Sequence, residues 1–303
     1  MRATSARRQT PSSLVLRFHD PFQRPLTVAQ ALVVTVCALS ACFLLASLIC
    51  FPLLFSVGGY AGCAAALAVN SVVCFALPGF IARRSVVGSR VAGSGGGIPV
   101  YVVFCVLLIA AVCQPFLEFT VFIDGLVASA LDVTADFTAE SNDLLAKVCL
   151  FDSAGHWAVA LIVVAFLPAF SEELFFRGAL LPLVRRASGS WHVAVAVSAV
   201  LFSAVHLDPS GFLTRAVMGA VLGALFVVTR SLWASVLFHF ANNAMVLVGL
   251  SMSDDPRAGL SAQVVDPDFP VAALSVILTI AEVYVIDQYM RKFRSWSGLM
   301  SGK

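Results

Sequence analysis

The chain has 303 residues, of which 60% are hydrophobic and only 12% are charged, and its mean hydropathy is +0.94. This balance lies far outside that of a water-soluble domain and indicates a polytopic membrane protein. The formal net charge of +2 is too small and too dispersed to mark a nucleic-acid-binding surface, so we expect no nucleic acid among its partners.

Residues 1–26 carry five arginines against one acidic residue, a composition typical of a cytosolic tail. An organellar transit peptide is also rich in arginine and poor in acids, so that alternative stays open here. Apolar runs follow at residues 27–56, 60–81, 98–117, 156–184, 191–206, 212–229, 231–250 and 271–290. Most of them approach the ~20 residues that a helix needs to cross a bilayer core. The sequence therefore predicts an all-α polytopic membrane protein with about eight transmembrane helices.

The charges between the apolar runs divide by sign. If the runs are threaded from a cytosolic N-terminus, the inner segments hold most of the 19 lysines and arginines, and Lys147 and Arg257 are the exceptions among the outer segments. The outer segments hold most of the acids, above all the connection 118–155. Because cytosolic loops are enriched in Lys and Arg, we expect both termini in the cytosol. We expect a multi-pass protein of the bacterial inner membrane, in contact with membrane lipids.

The fourth run, residues 156–184, contains two acids and one base, Glu172, Glu173 and Arg177. In a bilayer each charge costs at least ~2.5–3.5 kcal/mol, so such residues are usually functional. Glu173 and Arg177 are four residues apart and share a helix face, whereas Glu172 lies about 100° around the helix. The spacing predicts that one acid is neutralised and the other is left free, in a helix that Pro168 kinks.

Two later runs also contain polar groups. His206 ends the fifth run, and His239 and Asn243 lie one helical turn apart in the seventh. Counting ~1.5 Å per residue from the ends of the runs puts these groups and the acid pair at similar depths in a ~30 Å core. The sequence therefore predicts that Glu172, His206, His239 and Asn243 gather in one layer of the membrane.

This set of side chains is typical of hydrolysis by an activated water. A carboxylate with a histidine can take a proton from water, and imidazole or amide donors can hold an oxyanion. Two histidines and one glutamate are also a ligand set for catalytic zinc, in which case Glu172, His206 and His239 would be the ligands. We expect no cofactor, and zinc remains the alternative.

The polar residues stand in an order that resembles a known family. Its three motifs would be Glu172-Glu173-x-x-x-Arg177, Phe202-x-x-x-His206 and His239-x-x-x-Asn243. This order resembles that of the CPBP family of intramembrane proteases, which comprises CAAX prenyl proteases of type 2 and bacteriocin-processing proteins and is also called the ABI family. The resemblance covers about residues 156–250. It implies eight membrane helices, a conical cavity and a pairing of Glu173 with Arg177.

The resemblance also implies roles for the remaining motif residues. Glu172 and His206 would activate water, and His239 and Asn243 would form the oxyanion site. The family is often described as metalloproteases, yet its better-argued mechanism depends on the glutamate without a bound metal.

We divide the chain into four parts on these grounds. They are a basic cytosolic tail (1–26), N-terminal membrane helices with an acidic outer segment (27–155), a catalytic helical core of CPBP type (156–250), and an outer loop with the last transmembrane helix and a basic cytosolic tail (251–303). The sequence Gly-Ser-Gly-Gly-Gly at residues 93–97 predicts a flexible hinge. The acidic segment 118–155 is predicted to lie partly at the interface or to form a short helix, with a solvated loop as the alternative.

The predicted function is an intramembrane endopeptidase that cleaves a peptide bond in or near the membrane. Its substrate would be a peptide or protein, lipid-modified substrates included. A proton-coupled transporter would also place ionisable groups at mid-depth, but the first half of the chain shows no second set of polar-interrupted helices. A non-catalytic, immunity-type membrane partner on the same scaffold is the other alternative, although all the motif residues are present.

Overall fold

The computed structural model describes residues 27–83, 98–131, 143–253 and 267–300. The predicted basic tail 1–26 and the predicted hinge 93–97 lie outside them. The helices of the described part are α1 Val28–Val57, α2 Gly59–Ala82, α3 Val100–Val112, α4 Gln114–Ala130, α5 residues 143–148, α6 Ala154–Ser188, α7 Trp191–Ala204, α8 Phe212–Thr229, α9 Leu232–Ser251 and α10 Phe269–Met300. No strand occurs within these ranges.

Seven spans of the described chain are long and apolar enough to cross a membrane, namely α1, α2, α3 with α4, α6, α8, α9 and α10. Helix α7 is apolar but has only 14 residues. At ~1.5 Å per residue it is shorter than a ~30 Å bilayer core. The all-α, polytopic class is therefore confirmed, and the eight apolar runs form helices in the predicted order. The cytosolic position of the termini stays a prediction.

Several helix ends follow from local side-chain chemistry. The Thr27 side chain accepts a hydrogen bond from the backbone N–H of Gln30, and the Gln30 side chain accepts one from the backbone N–H of Thr27. This arrangement is a capping box. Ser153 and Ser190 cap α6 and α7 in the same N-terminal position. Helix α6 ends at Ser188 and is followed by Gly189, whose φ of 71° is left-handed and therefore favours glycine. These residues divide the apolar sequence into separate helices.

The acidic segment 118–155 begins inside a membrane helix, which was not predicted, and forms a short helix further on, which was predicted. Helix α4 continues the third span to Ala130, and Asp124 is buried within it. The Asp124 carboxylate accepts hydrogen bonds from the backbone N–H groups of Leu213 and Thr214, at 2.8 and 2.9 Å. The first amides of a helix have no partner in their own helix, so a carboxylate there is stabilising. Asp124 thus joins α4 to the start of α8, and the short helix α5 forms later in the segment as predicted.

Helix α6 changes its hydrogen-bonding pattern twice. Its segments Leu161–Phe166 and Phe176–Leu180 are π-helical, and they bracket the α-helical stretch Leu167–Phe175. Pro168 stands at the start of this stretch, and it has no N–H for the regular ladder. Such wide turns are frequent at functional sites. The bracketed stretch is the one that carries the two adjacent acids.

Three glycines let the helices around α6 and α8 approach closely. A Cβ atom at Gly79 would lie 2.9 Å from the backbone of Phe175, so α2 packs directly on the bracketed stretch of α6. A Cβ at Gly219 would lie 3.0 Å from the Cα of Ala199, and Gly223 likewise faces α7. The GxxxG spacing of these last two glycines predicts such packing, which the structure confirms.

The bundle has an apolar outer surface and buries some of its charged side chains. Large apolar side chains such as Leu48, Phe104 and Ile280 are exposed, whereas Glu173 and Arg177 are completely buried. This arrangement is expected where lipid is the surrounding solvent, because intramembrane charges face the interior of a helix bundle.

Candidate active site

The pair formed by Glu173 and Arg177 lies at the centre of the site. Arg177 Nη1 donates to Glu173 Oε1 at 2.6 Å, and both side chains are 0% exposed. Nη2 donates to the backbone carbonyl of Gly219 at 2.7 Å, and the guanidinium carbon lies 4.9 Å from the ring centroid of Phe202. The pairing predicted from the spacing is confirmed. Charge-assisted contacts of this kind are among the strong hydrogen bonds, so the pair connects α6 firmly to α8.

His239 on α9 lies between the two adjacent acids. Its Nδ1–H donates to Glu173 Oε1 at 3.1 Å, and its Nε2 lies 4.0 Å from Glu172 Oε2. The ring is 3% exposed. Sequence reasoning missed the contact with Glu173, because nothing local relates two residues on different helices. The carboxylate of Glu173 therefore fixes both the guanidinium and the orientation of this imidazole.

The hydrogen bond at Nδ1 limits what His239 can do at Nε2. A neutral imidazole has one donor nitrogen and one acceptor nitrogen, and the donor here is Nδ1. The neutral ring thus presents a lone pair toward Glu172, and only the protonated ring presents an N–H there. The predicted role of His239 in holding an oxyanion requires the protonated ring.

Glu172 has an oxygen without a partner. The residue is 8% exposed, and its Oε2 is a buried atom that makes no hydrogen bond within the described part of the chain. The 4.0 Å to His239 Nε2 is longer than a hydrogen bond. An unsatisfied buried acceptor is costly, so this oxygen is available for a donor such as water or substrate. Glu173 Oε2 is unbonded as well, but Glu173 Oε1 is paired with Arg177, so Glu172 is the acid that lacks a bond to the arginine, as the spacing predicts.

His206 lies two residues beyond the end of α7 and is exposed. Its Nδ1–H donates to the carbonyl of Phe202 at 2.8 Å, so the neutral ring presents a lone pair at Nε2. The ring of Phe202 lies 5.3 Å from the His206 ring and 5.7 Å from the His239 ring. Within the described residues no contact joins His206 directly to Glu172. The structure brings Glu172 and His239 together, and the rings of His206 and His239 both lie against Phe202.

Asn243 lies one turn after His239, and its Nδ2 donates to the carbonyl of Val164 at 3.4 Å. The neighbouring Asn242 accepts a hydrogen bond from Gln114 Nε2 at 2.8 Å and donates to the carbonyl of Phe238 at 3.0 Å. Gln114 therefore joins α4 to α9, as a polar side chain inside an apolar run predicts. Asn242 was missed, and the signal that could have found it is a second asparagine inside the same apolar run.

The alternative zinc site requires Glu172, His206 and His239 to converge. In the described part of the chain no three His, Cys, Asp or Glu side chains are placed to hold a metal ion. Glu172 Oε2 lies 4.0 Å from His239 Nε2, and among the described residues no hydrogen bond or ion pair joins His206 to either side chain. The side chains as placed do not fit a three-ligand site, so we derive no step through zinc. Metal independence stays a prediction.

Comparison with known proteins found a family that the part of the chain from α6 into α9 resembles. Residues 154–245 match a family model described as type II CAAX prenyl endopeptidase Rce1-like. The match begins with α6, ends within α9 and contains all three motifs, so it confirms the family resemblance for this part of the chain. It indicates a protease, carried by a multi-pass membrane protein. No curated protein and no solved structure matches the chain.

Proposed function

We propose that the protein is an intramembrane endopeptidase that uses Glu172 to activate water. The observation that carries the proposal is the buried, unpartnered Oε2 of Glu172 beside His239, next to a second acid that Arg177 neutralises. Two adjacent carboxylates thus have separate tasks. Glu173 orients its neighbours, and Glu172 is free to take a proton.

The proposed reaction is hydrolysis of a peptide bond. Glu172 takes a proton from water while the water oxygen attacks the carbonyl carbon, and the carbonyl electron pair moves to its oxygen. The C–N bond then breaks as the carbonyl re-forms, and the proton passes to the leaving nitrogen. The products are a carboxylic acid and an amine, and general acid–base catalysis of this kind contributes typically ~100- to 10,000-fold.

The other motif residues support this step. The lone pair that His206 presents at Nε2 can accept a hydrogen bond from the attacking water. The Asn243 amide and the protonated ring of His239 would hold the oxyanion, since such donors stabilise charge that develops in the transition state. The proposal therefore needs His239 to be protonated when the oxyanion forms.

The proposal extends to substrate and location. The matching family model is named for a CAAX prenyl endopeptidase, so a lipid-modified peptide or protein is a proposed substrate. We place the protein in the bacterial inner membrane with both termini in the cytosol, because most strong bases lie in the segments that this orientation makes cytosolic.

The test is the variant Glu172→Gln with Glu282→Gln as its matched control. Glu282 is another glutamate of the membrane helices, on α10, and its Oε2 is also buried without a hydrogen-bond partner. Turnover of internally quenched peptides, with and without a prenylated cysteine, is measured on the purified proteins in detergent. We expect Glu172→Gln to lose turnover by ~100-fold or more with its thermal stability retained. Glu282→Gln should keep its turnover.

Two outcomes would contradict the proposal. Near wild-type turnover in Glu172→Gln would remove Glu172 from the mechanism. Absence of turnover in the wild type with every peptide would favour the non-catalytic partner. A strong chelator should leave wild-type turnover unchanged, and a loss that zinc restores would refute metal independence.

A further inference from the structure

A cavity of about 560 Å³ lies beside the candidate active site. Helices α4, α8 and α9 and the residues before α10 line it. Its size falls within the ~300–1,000 Å³ of typical ligand pockets. Two of its exposed lining residues, Glu118 and Asp268, lie at the acidic end of the bundle. Val246 is a third exposed lining residue, and Asn242 is a buried one. The cavity thus leads from that end of the bundle toward the interior.

The inner part of the cavity lies next to His239 along α9. Asn242 and Asn243 line it, and they follow His239 by three and four positions on α9. Residues at these spacings share one helix face. One turn of helix rises ~5.4 Å, so the cavity ends about one turn from the imidazole that faces Glu172. A chain bound in the cavity can reach the reacting groups without leaving this face.

The charges that line the cavity have one sign. Glu118 and Asp268 are acidic, and none of the described residues lining it is a lysine, arginine or histidine. The nearest base along α8 is Arg215, which donates to the Asp208 carboxylate at 2.9 Å and does not line the cavity. The negative charge at the opening is therefore uncompensated by any base in the lining.

The wall between the opening and His239 combines amides with apolar groups. The Gln114 side chain lies one turn before Glu118 on α4 and bonds to Asn242 across the cavity wall. Leu117 and Val121 belong to the same face of α4. Such a wall suits an extended peptide, whose backbone needs hydrogen-bonding partners and whose apolar side chains need apolar contacts.

We propose that this cavity binds the part of the substrate that flanks the scissile bond, and that Glu118 and Asp268 select a lysine or arginine side chain there. The inference rests on the proposed function and adds a substrate class to it. A cationic side chain meets complementary charge at the opening. An acidic residue or a free carboxylate at the same position meets two negative charges and is rejected.

The test compares three peptides that share one apolar sequence and differ in a single flanking residue, which is lysine, glutamine or glutamate. Their binding to purified Glu172→Gln is measured by fluorescence anisotropy in a neutral detergent at low salt, so that no cleavage interferes. We expect the lysine peptide to bind about three- to tenfold more tightly than the glutamine peptide, and the glutamate peptide to bind more weakly than both. The preference should fall as salt is added.

Charge variants identify the groups responsible. Added to Glu172→Gln, the changes Glu118→Gln and Asp268→Asn together should erase the preference for the lysine peptide. Changing both acids to lysine should invert it. The control Asp152→Asn removes an exposed acid at the same end of the bundle that does not line the cavity, and it should keep the preference.

Several results would overturn the inference. They are equal binding of the three peptides, binding of none, or a preference that survives neutralisation of both acids. If the protein with both acids neutralised cannot be purified, the salt dependence of Glu172→Gln decides. A preference for the lysine peptide that added salt does not reduce would overturn the inference. The proposed function is judged separately. Wild-type cleavage that Glu172→Gln abolishes would stand even if the three peptides bound equally.

Discussion

Removal of Arg177 should destabilise the protein far more than removal of an exposed base. In Arg177→Ala the buried Glu173 carboxylate loses its counter-charge, which costs ~3–5 kcal/mol for a buried pair. The Gly219 carbonyl also loses its donor, at ~1–3 kcal/mol. The expected loss in the free energy of unfolding is therefore roughly 4–8 kcal/mol. Glu173→Leu should cost a similar amount, because it leaves Arg177 unpaired and deprives His239 of its acceptor.

Replacing both partners should cost less than either single change. The double variant Glu173→Leu with Arg177→Met contains neither charge and leaves two neutral groups unpaired, the Gly219 carbonyl and the His239 Nδ1–H. At ~1–3 kcal/mol each, the loss is roughly 2–6 kcal/mol. The double variant should thus be about 2 kcal/mol more stable than the singles. It should still lack turnover, because nothing orients the imidazole.

Thermal unfolding of the three variants, followed by tryptophan fluorescence in one detergent, checks this order alongside peptide turnover. The matched control is Lys147→Ala. It breaks the Asp143–Lys147 pair, which has the same spacing but side chains that are 38% and 50% exposed, and it should cost less than about 0.5 kcal/mol. A double variant less stable than both singles would refute the ion-pair reasoning, as would a control that costs as much as Arg177→Ala.

Two further predictions concern pH and orientation. Burial acts to raise the pKa of Asp208, but hydrogen bonds from Ser210 and Arg215 outweigh it and hold that pKa below its ordinary 3.8. Its stabilisation is therefore complete above the ordinary pKa and is lost as pH falls through the folded-state pKa. The Tm difference between the wild type and Asp208→Asn should be constant from about pH 5 to about pH 8 and shrink below about pH 4, and a difference that grows in acid would contradict this sign. Single cysteines at Arg186 and Asp152 should react with a membrane-impermeant reagent from opposite sides, and labelling from one side would refute the orientation.

The sequence by itself determined the class of the protein and the spacing of its motifs. Apolar runs of about 20 residues are a local property, and a helix of that length satisfies its own backbone in lipid. The pairing of Glu173 with Arg177 was predictable for the same reason, because residues four apart on a helix are neighbours wherever the helix packs. The separate position of Glu172 followed from the same geometry.

Only the tertiary structure decided which side chains meet across helices. His239 bonds to Glu173, Asp124 to the start of α8 and Gln114 to Asn242, over 66, 89 and 128 positions of the chain. No local periodicity relates these partners, since each contact depends on how several helices pack together. The same packing put Asp124 inside a helix whose composition indicates an exposed segment, because the free amides of α8 stabilise its charge. It also formed the cavity, whose walls come from four separate stretches of sequence.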